Sequence, residues 1–111
     1  MTDPYAPINP LLDDPDIMEI MIDGWQHVYV DKHGQFVDMP GVFANEDELL
    51  ALIRAVTEAA GQHADESHPL VDVRLADGSR MNIAMPPIAL NGPIVTLRKF
   101  LKRDFSVEDF V

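Results

Sequence analysis

One segment of the sequence, residues 45–60, has apolar residues at the spacing of a helix, and short segments with the alternation of strands precede and follow it. Asn45 is a good N-cap, and Glu48 three positions later completes a capping box. Apolar residues then recur at helical spacing, and Gly61 is suited to end the helix. The order of strands, helix and strands predicts a sheet that carries helical cover on one face.

The strand patterns form two groups of three. Before them, residues 1–16 are rich in proline, and we expect a loop there with at most one helical turn. The predicted strands cover residues 17–22, 26–31, 35–38, 70–75, 79–85 and 94–100. Asp23-Gly24 and Asp77-Gly78 are turn signals that predict antiparallel hairpins. The sequence therefore predicts an α+β domain with a mostly antiparallel sheet of about six strands and helices packed on one face.

Size and composition indicate one globular domain. The chain has 111 residues, of which 47% are hydrophobic and 24% charged, the balance of a folded domain. It has no apolar run long enough to span a bilayer, its N-terminus does not resemble a signal peptide, and it lacks cysteine. A cytoplasmic protein with neither disulfides nor a thiolate metal site fits these features.

Charge is distributed unevenly along the chain. The net charge is −11, yet residues 74–103 hold six of the eight Lys and Arg residues and only one acid, which gives that window +5 and the remainder −16. A positive patch on an anionic body suits a small anion such as phosphate. Nucleic acid is a poorer partner, because the negative remainder would repel a long polyanion.

Other candidate sites are weak. His63 and His68, with Asp65 and Glu66 between them, follow no common ligand spacing, so we predict no metal site. His27 and His33 are expected on the surface, and Trp25 against the core. None of the six glycines is followed by lysine, so the phosphate-binding loop Gly-x-x-x-x-Gly-Lys-Ser/Thr is absent. This fragment alone is therefore not expected to be an enzyme or to hold a cofactor.

Four segments carry a resemblance to a known family. They are Asp65–Asn82 (DESHPLVDVRLADGSRMN), Met85–Pro93, Val95–Phe100 and the opening stretch Ile8–Ile22. In this order they resemble the N-terminal part of the type II/type IV secretion ATPase superfamily, and best of all its Tad/Flp pilus-assembly branch. The family often carries an arginine just before the Asp-Glu-Ser segment, where this chain has Gln62 and His63.

The resemblance implies how the chain is divided into domains and where in the cell the full-length protein works. Residues 1–100 would form a PAS-like N-terminal domain, and residues 101–111 a linker and the start of an absent RecA-like motor domain. The relatives are hexameric ATPases at the cytoplasmic side of the inner membrane that drive pilus assembly or protein secretion. The full-length parent would then be a P-loop hydrolase that uses ATP and Mg²⁺. Its partners would be its own C-terminal domain, neighbouring subunits and inner-membrane platform proteins, with no nucleic acid and no membrane insertion.

The resemblance also implies site residues. Arginines of the N-terminal domain reach toward the nucleotide phosphates in this family, and their counterparts here are Arg80 and Arg98, with Lys99 beside them. All three lie within the positive window. The guanidinium binds phosphate oxygens in a bidentate manner and stays charged. We expect Arg80 and Arg98 on neighbouring strands, exposed, and projecting from the same edge.

Three other interpretations stay open at this stage. The chain could be a stand-alone PAS-like sensor with an internal ligand cavity, or an acidic protein-interaction module indifferent to nucleotide. Arg80 and Arg98 could also be solvated strand residues paired with Asp72 or Asp77.

Overall fold

The computed structural model describes residues 3–86, 89 and 92–100. Its elements are two helices and six strands. In chain order these are α1 (Asn9–Asp13), β1 (Ile17–Asp23), β2 (Val28–Lys32), β3 (Gln35–Asp38), α2 (Glu46–Ala59), β4 (Leu70–Arg74), β5 (Arg80–Ala84) and β6 (Ile94–Arg98). The linker and domain start expected at residues 101–111 lie outside the described residues.

All six strands form one antiparallel sheet in the order β3-β2-β1-β6-β5-β4. Two hairpin ladders, β1-β2-β3 and β4-β5-β6, are joined side by side through β1 and β6. The expected α+β class, with its sheet of about six strands, is confirmed. The first and last of the described strands thus lie at the centre of the sheet.

Helix α2 begins and ends where its local signals predict. The Asn45 side chain accepts a hydrogen bond from the Glu48 amide at 3.0 Å, and the Glu48 carboxylate accepts one from the Ala44 amide at 2.8 Å. Three acidic residues in the first turn stabilise the helix, because their negative charges lie at the positive end of its dipole. Gly61 ends the helix with a φ of +69°.

One face of the sheet is buried under the helices. Alternate residues of the strands, such as Ile20, Val30 and Leu97, are almost fully buried. They share one core with Leu49, Leu52, Ile53 and Val56 of α2 and with Leu11 of α1. The other face of the sheet, called the outer face below, carries the exposed alternate residues.

Two predicted strand boundaries were wrong by two residues, and the others differ from the structure by at most one residue. Strand β2 begins at Val28 rather than residue 26, because residues 24–27 form the turn: the Asp23 amide donates to the His27 carbonyl at 2.8 Å, and Gly24 has a φ of +70°. Strand β6 ends at Arg98 rather than Phe100. Trp25 packs against the core as expected. In the part of the chain that the structure describes, no helix has the length and apolar character needed to cross a membrane.

Candidate functional site

Arg80 and Arg98 face each other across neighbouring strands. Arg80 opens β5 and Arg98 closes β6, and the two are direct Cα partners in the antiparallel ladder. Direct partners project from the same side of a sheet, with Cβ atoms about 4.5–5.5 Å apart. Both residues are exposed on the outer face. The expected proximity and exposure are confirmed, whereas contact with phosphate stays a prediction.

One carboxylate reaches this pair. Arg80 Nη2 donates a hydrogen bond to Asp72 Oδ2 at 2.7 Å, with side chains that are 57% and 50% exposed. The alternative pairing of Arg80 with Asp72 is therefore present in the structure. Because both groups are half in water, the pair is an exposed ion pair of about 0–1 kcal/mol and not a buried one. Such a pair leaves Arg80 accessible to a competing anion.

The β4–β5 turn positions the start of β5. Gly78 has a φ of +92°, and the Asp77 carboxylate accepts a hydrogen bond from the Ser79 amide at 2.8 Å. Ser79 is buried, and its hydroxyl oxygen accepts a hydrogen bond from the Phe100 amide at 3.3 Å. The Phe100 ring lies so close to Gly78 that a Cβ there would come within 3.1 Å of it. The turn contacts Phe100, which follows β6, and these contacts fix the position at which Arg80 enters the sheet.

Lys99 points away from the two arginines. Its ammonium donates hydrogen bonds to the carbonyls of Asp14 at 2.6 Å and Leu11 at 3.3 Å, which lie at the C-terminal end of α1. Burial lowers the pKa of Lys99, while Asp14, Asp13 and Asp77 act in the opposite direction. The structure thus joins Lys99 to α1, and its predicted contact with phosphate stays a prediction.

The histidines lie on the surface. His33 Nε2 lies 3.0 Å from Asp16 Oδ1, and His68 Nδ1 lies 3.3 Å from Asp65 Oδ1, all with exposed side chains. His63 and His68 have ring centroids 6.3 Å apart. Within the described ranges, no group of three or more acidic or histidine side chains could hold a metal ion.

The outer face also carries apolar side chains. Leu70, Ala84 and Ile94 are direct partners across β4, β5 and β6, four positions along the strands from the arginines. Leu70 is 66% exposed and Ile94 39%. A shallow groove of about 350 Å³ lies over these residues, with Asn82 and Thr96 along it. Exposed apolar residues grouped on one face are typical of a surface that another domain or protein covers.

Comparison with known proteins agrees with the family resemblance in part. No family model matches the chain. The type IV secretion system protein VirB11 of Brucella suis is 29% identical over 109 residues, covering 94% of this chain and 29% of VirB11. The conjugal transfer protein TrbB of Rhizobium radiobacter is 28% identical over 101 residues, covering 90% and 31%. The uncharacterized protein MJ0900 of Methanocaldococcus jannaschii is 31% identical over 107 residues, covering 94% and 19%.

A solved structure shares the fold. The crystal structure of the VirB11 ATPase from the Brucella suis type IV secretion system, in complex with sulphate, matches with a TM-score of 0.86 and 25% identity. The match covers 96% of this chain and 32% of that one. The chain therefore spans less than a third of the length of these relatives. The similarity is to a type IV secretion ATPase, and the finer placement in the Tad/Flp branch stays a prediction.

Proposed function

We propose that this chain is the N-terminal domain of a hexameric secretion or pilus-assembly ATPase, in which Arg80 and Arg98 contact the phosphates of a bound nucleotide. The observation that carries the proposal is the direct pairing of these two arginines on the exposed face of the sheet. It is supported by the similarity to VirB11 and TrbB over at least 90% of the chain.

The proposed partner of the outer face is a C-terminal P-loop domain of the same polypeptide. The relatives extend well beyond the length that this chain matches, which leaves room for such a domain. The exposed Leu70 and Ile94 lie on the same face as the arginines, so one docking domain would cover both. Neighbouring subunits and inner-membrane platform proteins complete the proposed assembly, on the cytoplasmic side of that membrane.

Physical chemistry explains why two facing arginines suit this role. Like charges directly opposite in an antiparallel pair repel each other, so an anion between them relieves the repulsion. In phosphoryl transfer an arginine stabilises the charge that develops on the phosphate. Because the arginines stand on a different domain from the phosphate-binding loop, the domain position becomes coupled to the nucleotide state. ATP and Mg²⁺ would be held by the P-loop domain, and we assign no residue of this chain to the metal.

Substitution in the full-length protein tests the proposal. Arg80→Ala or Arg98→Ala should lower ATP turnover on the order of 10³-fold. The free energy of unfolding should move by only about 0.5 kcal/mol, since both side chains are exposed. Arg54→Ala is the matched control, because Arg54 is exposed on α2, on the other side of the sheet. If ATP turnover falls no more in Arg80→Ala and Arg98→Ala than in Arg54→Ala, the phosphate-binding role of Arg80 and Arg98 is refuted.

The isolated 111-residue chain tests whether ATP hydrolysis and hexamer assembly depend on the proposed P-loop domain. Because it lacks the phosphate-binding loop, it should release no phosphate from ATP above a buffer control. Hexamer contacts are proposed to run largely from this domain to a neighbour's motor domain, so the chain should sediment as a monomer or weak dimer. ATP turnover that survives repeated purification would contradict the first expectation, and a stable hexamer at micromolar concentration would contradict the second.

A further inference from the structure

A third arginine stands in register with the first two. Arg74, at the end of β4, is the direct Cα partner of Arg80, on the side opposite Arg98. Three adjacent strands therefore present Arg74, Arg80 and Arg98 in one line across the outer face, all exposed. We call this line the arginine row. The sequence placed Arg74 in the positive window, but gave no reason to join it to the other two.

Carboxylates lie beside two of the three arginines in the arginine row. On the β1 side, Glu19 is the direct partner of Arg98 and offsets part of its charge. On the other side β4 is the last of the described strands of the sheet, so within the described residues the row ends with Arg74. Asp72 is the one carboxylate that forms an ion pair with the row among the described residues. Asp72 pairs with Arg80, so among the described residues Arg74 is the arginine of the row whose direct partners include no carboxylate, and its charge is available to an anion.

The spacing of the row indicates the kind of anion. Neighbouring strands lie about 4.8 Å apart, so the Cα atoms of Arg74 and Arg98 are roughly 10 Å apart. A single phosphate can bridge two neighbouring guanidinium groups, whereas a chain of linked phosphates is long enough to meet all three. The row thus favours an extended polyphosphate over orthophosphate.

We propose that Arg74 is a third phosphate-binding residue and that the arginine row selects a linked chain of phosphates. This inference rests on the proposed function, because it extends the same site. Each arginine contributes a bidentate donor. Arg74 adds the contact farthest from Glu19, and no carboxylate among the described residues is its direct cross-strand partner.

The test is a titration of the 111-residue chain with inorganic triphosphate and, separately, with orthophosphate. NMR at low ionic strength would follow the backbone amides and the arginine Nε–H signals. Arg74→Ala should weaken triphosphate binding about fivefold, the effect of one charge contact of about 1 kcal/mol in water. Orthophosphate binding should change less. Arg54→Ala removes the same charge from α2 and should leave both affinities unchanged.

A second variant separates charge from packing. Arg74→Gln keeps much of the side-chain length and removes the charge, so it should lose as much triphosphate affinity as Arg74→Ala. If Arg74→Gln binds like the wild type, the effect of the alanine variant comes from packing and the assignment is wrong.

The outcomes distinguish this inference from the proposed function. If Arg80→Ala and Arg98→Ala lose triphosphate affinity while Arg74→Ala behaves like Arg54→Ala, only the role of Arg74 is refuted. If the wild-type chain shifts none of the arginine signals at millimolar triphosphate, the selection of linked phosphates by the arginine row is refuted, whereas the proposed function is decided by the ATP turnover of Arg80→Ala and Arg98→Ala in the full-length protein.

Discussion

The ion pair between Arg80 and Asp72 leads to a prediction about affinity. The carboxylate accepts a hydrogen bond from the guanidinium at 2.7 Å, so an anion that contacts Arg80 has to compete with it. Asp72→Asn removes the competing charge and keeps the shape of the side chain. We expect this variant to bind triphosphate more tightly than the wild type.

The size of the gain follows from the exposure of the pair. With side chains 57% and 50% exposed, the ion pair is worth about 0.2–1 kcal/mol. The Asp72 charge also repels a bound anion, by about 0.7 kcal/mol per unit charge at roughly 6 Å in water. Together the two effects amount to about 0.9–1.7 kcal/mol for one unit of anion charge, which predicts a gain between about fourfold and sixteenfold in affinity. The free energy of unfolding should fall by less than about 1 kcal/mol, because one surface pair is lost.

Asp38 offers a matched control for this measurement. Asp38 and Asp72 stand at opposite ends of one cross-strand row on the outer face, separated by four intervening strands. That distance is about 24 Å, well beyond the Debye length of about 8 Å at physiological salt. Asp38→Asn changes the net charge equally but should leave triphosphate affinity unchanged when both variants and the wild type are titrated by NMR at 0.15 M salt. Equal gains for the two variants, or weaker binding by Asp72→Asn, would refute the competition.

Three further predictions concern stability. Gly78→Ala should lower the free energy of unfolding in urea by about 1–3 kcal/mol and by more than Gly34→Ala, because both have positive φ but only Gly78 faces a ring at 3.1 Å; equal losses would contradict this. Asn45→Ala should lower the free energy of unfolding by about 1 kcal/mol, because the helix cap is lost. An unchanged free energy of unfolding would contradict a capping role for Asn45. Backbone amides hold the pKa values of Asp14 and Asp65 below 3.8, so their stabilisation is present above that pH. The thermal midpoint should therefore drop as pH falls below 3.8, and Asp65→Asn should drop less; identical pH profiles would contradict it.

Local signals explain what the sequence predicted well. Helix α2 has its start in Asn45 and its end in Gly61, and both act through hydrogen bonds or backbone angles of nearby residues. The Asp77-Gly78 turn is equally local. Each of these features depends on residues within a few positions, so reading the chain was sufficient to find them.

Long-range register explains what the sequence did not predict. The pairing of Arg74 with Arg80 follows from the β4–β5 hairpin. The row of three arginines also needs Arg98, which becomes the partner of Arg80 only because β6 pairs with β5 in one particular register. Lys99 was grouped with Arg98, although side chains alternate along a strand and consecutive residues point to opposite faces. That alternation was a usable signal. The contact of Lys99 with α1 was not readable, because it joins distant parts of the chain.

The central position of β1 and β6 governs how the chain assembles during synthesis. Strand β1 can pair with β2 as soon as both are made, but its other edge waits for β6, whose partner residues come more than seventy positions later. At about 5–20 residues per second, a ribosome needs roughly 4–15 s to add that stretch. During this interval the β1-β2-β3 ladder has an open edge along β1. Translation speed, and any chaperone that holds the nascent ladder, therefore decide how much of this chain reaches the native sheet before it meets another copy.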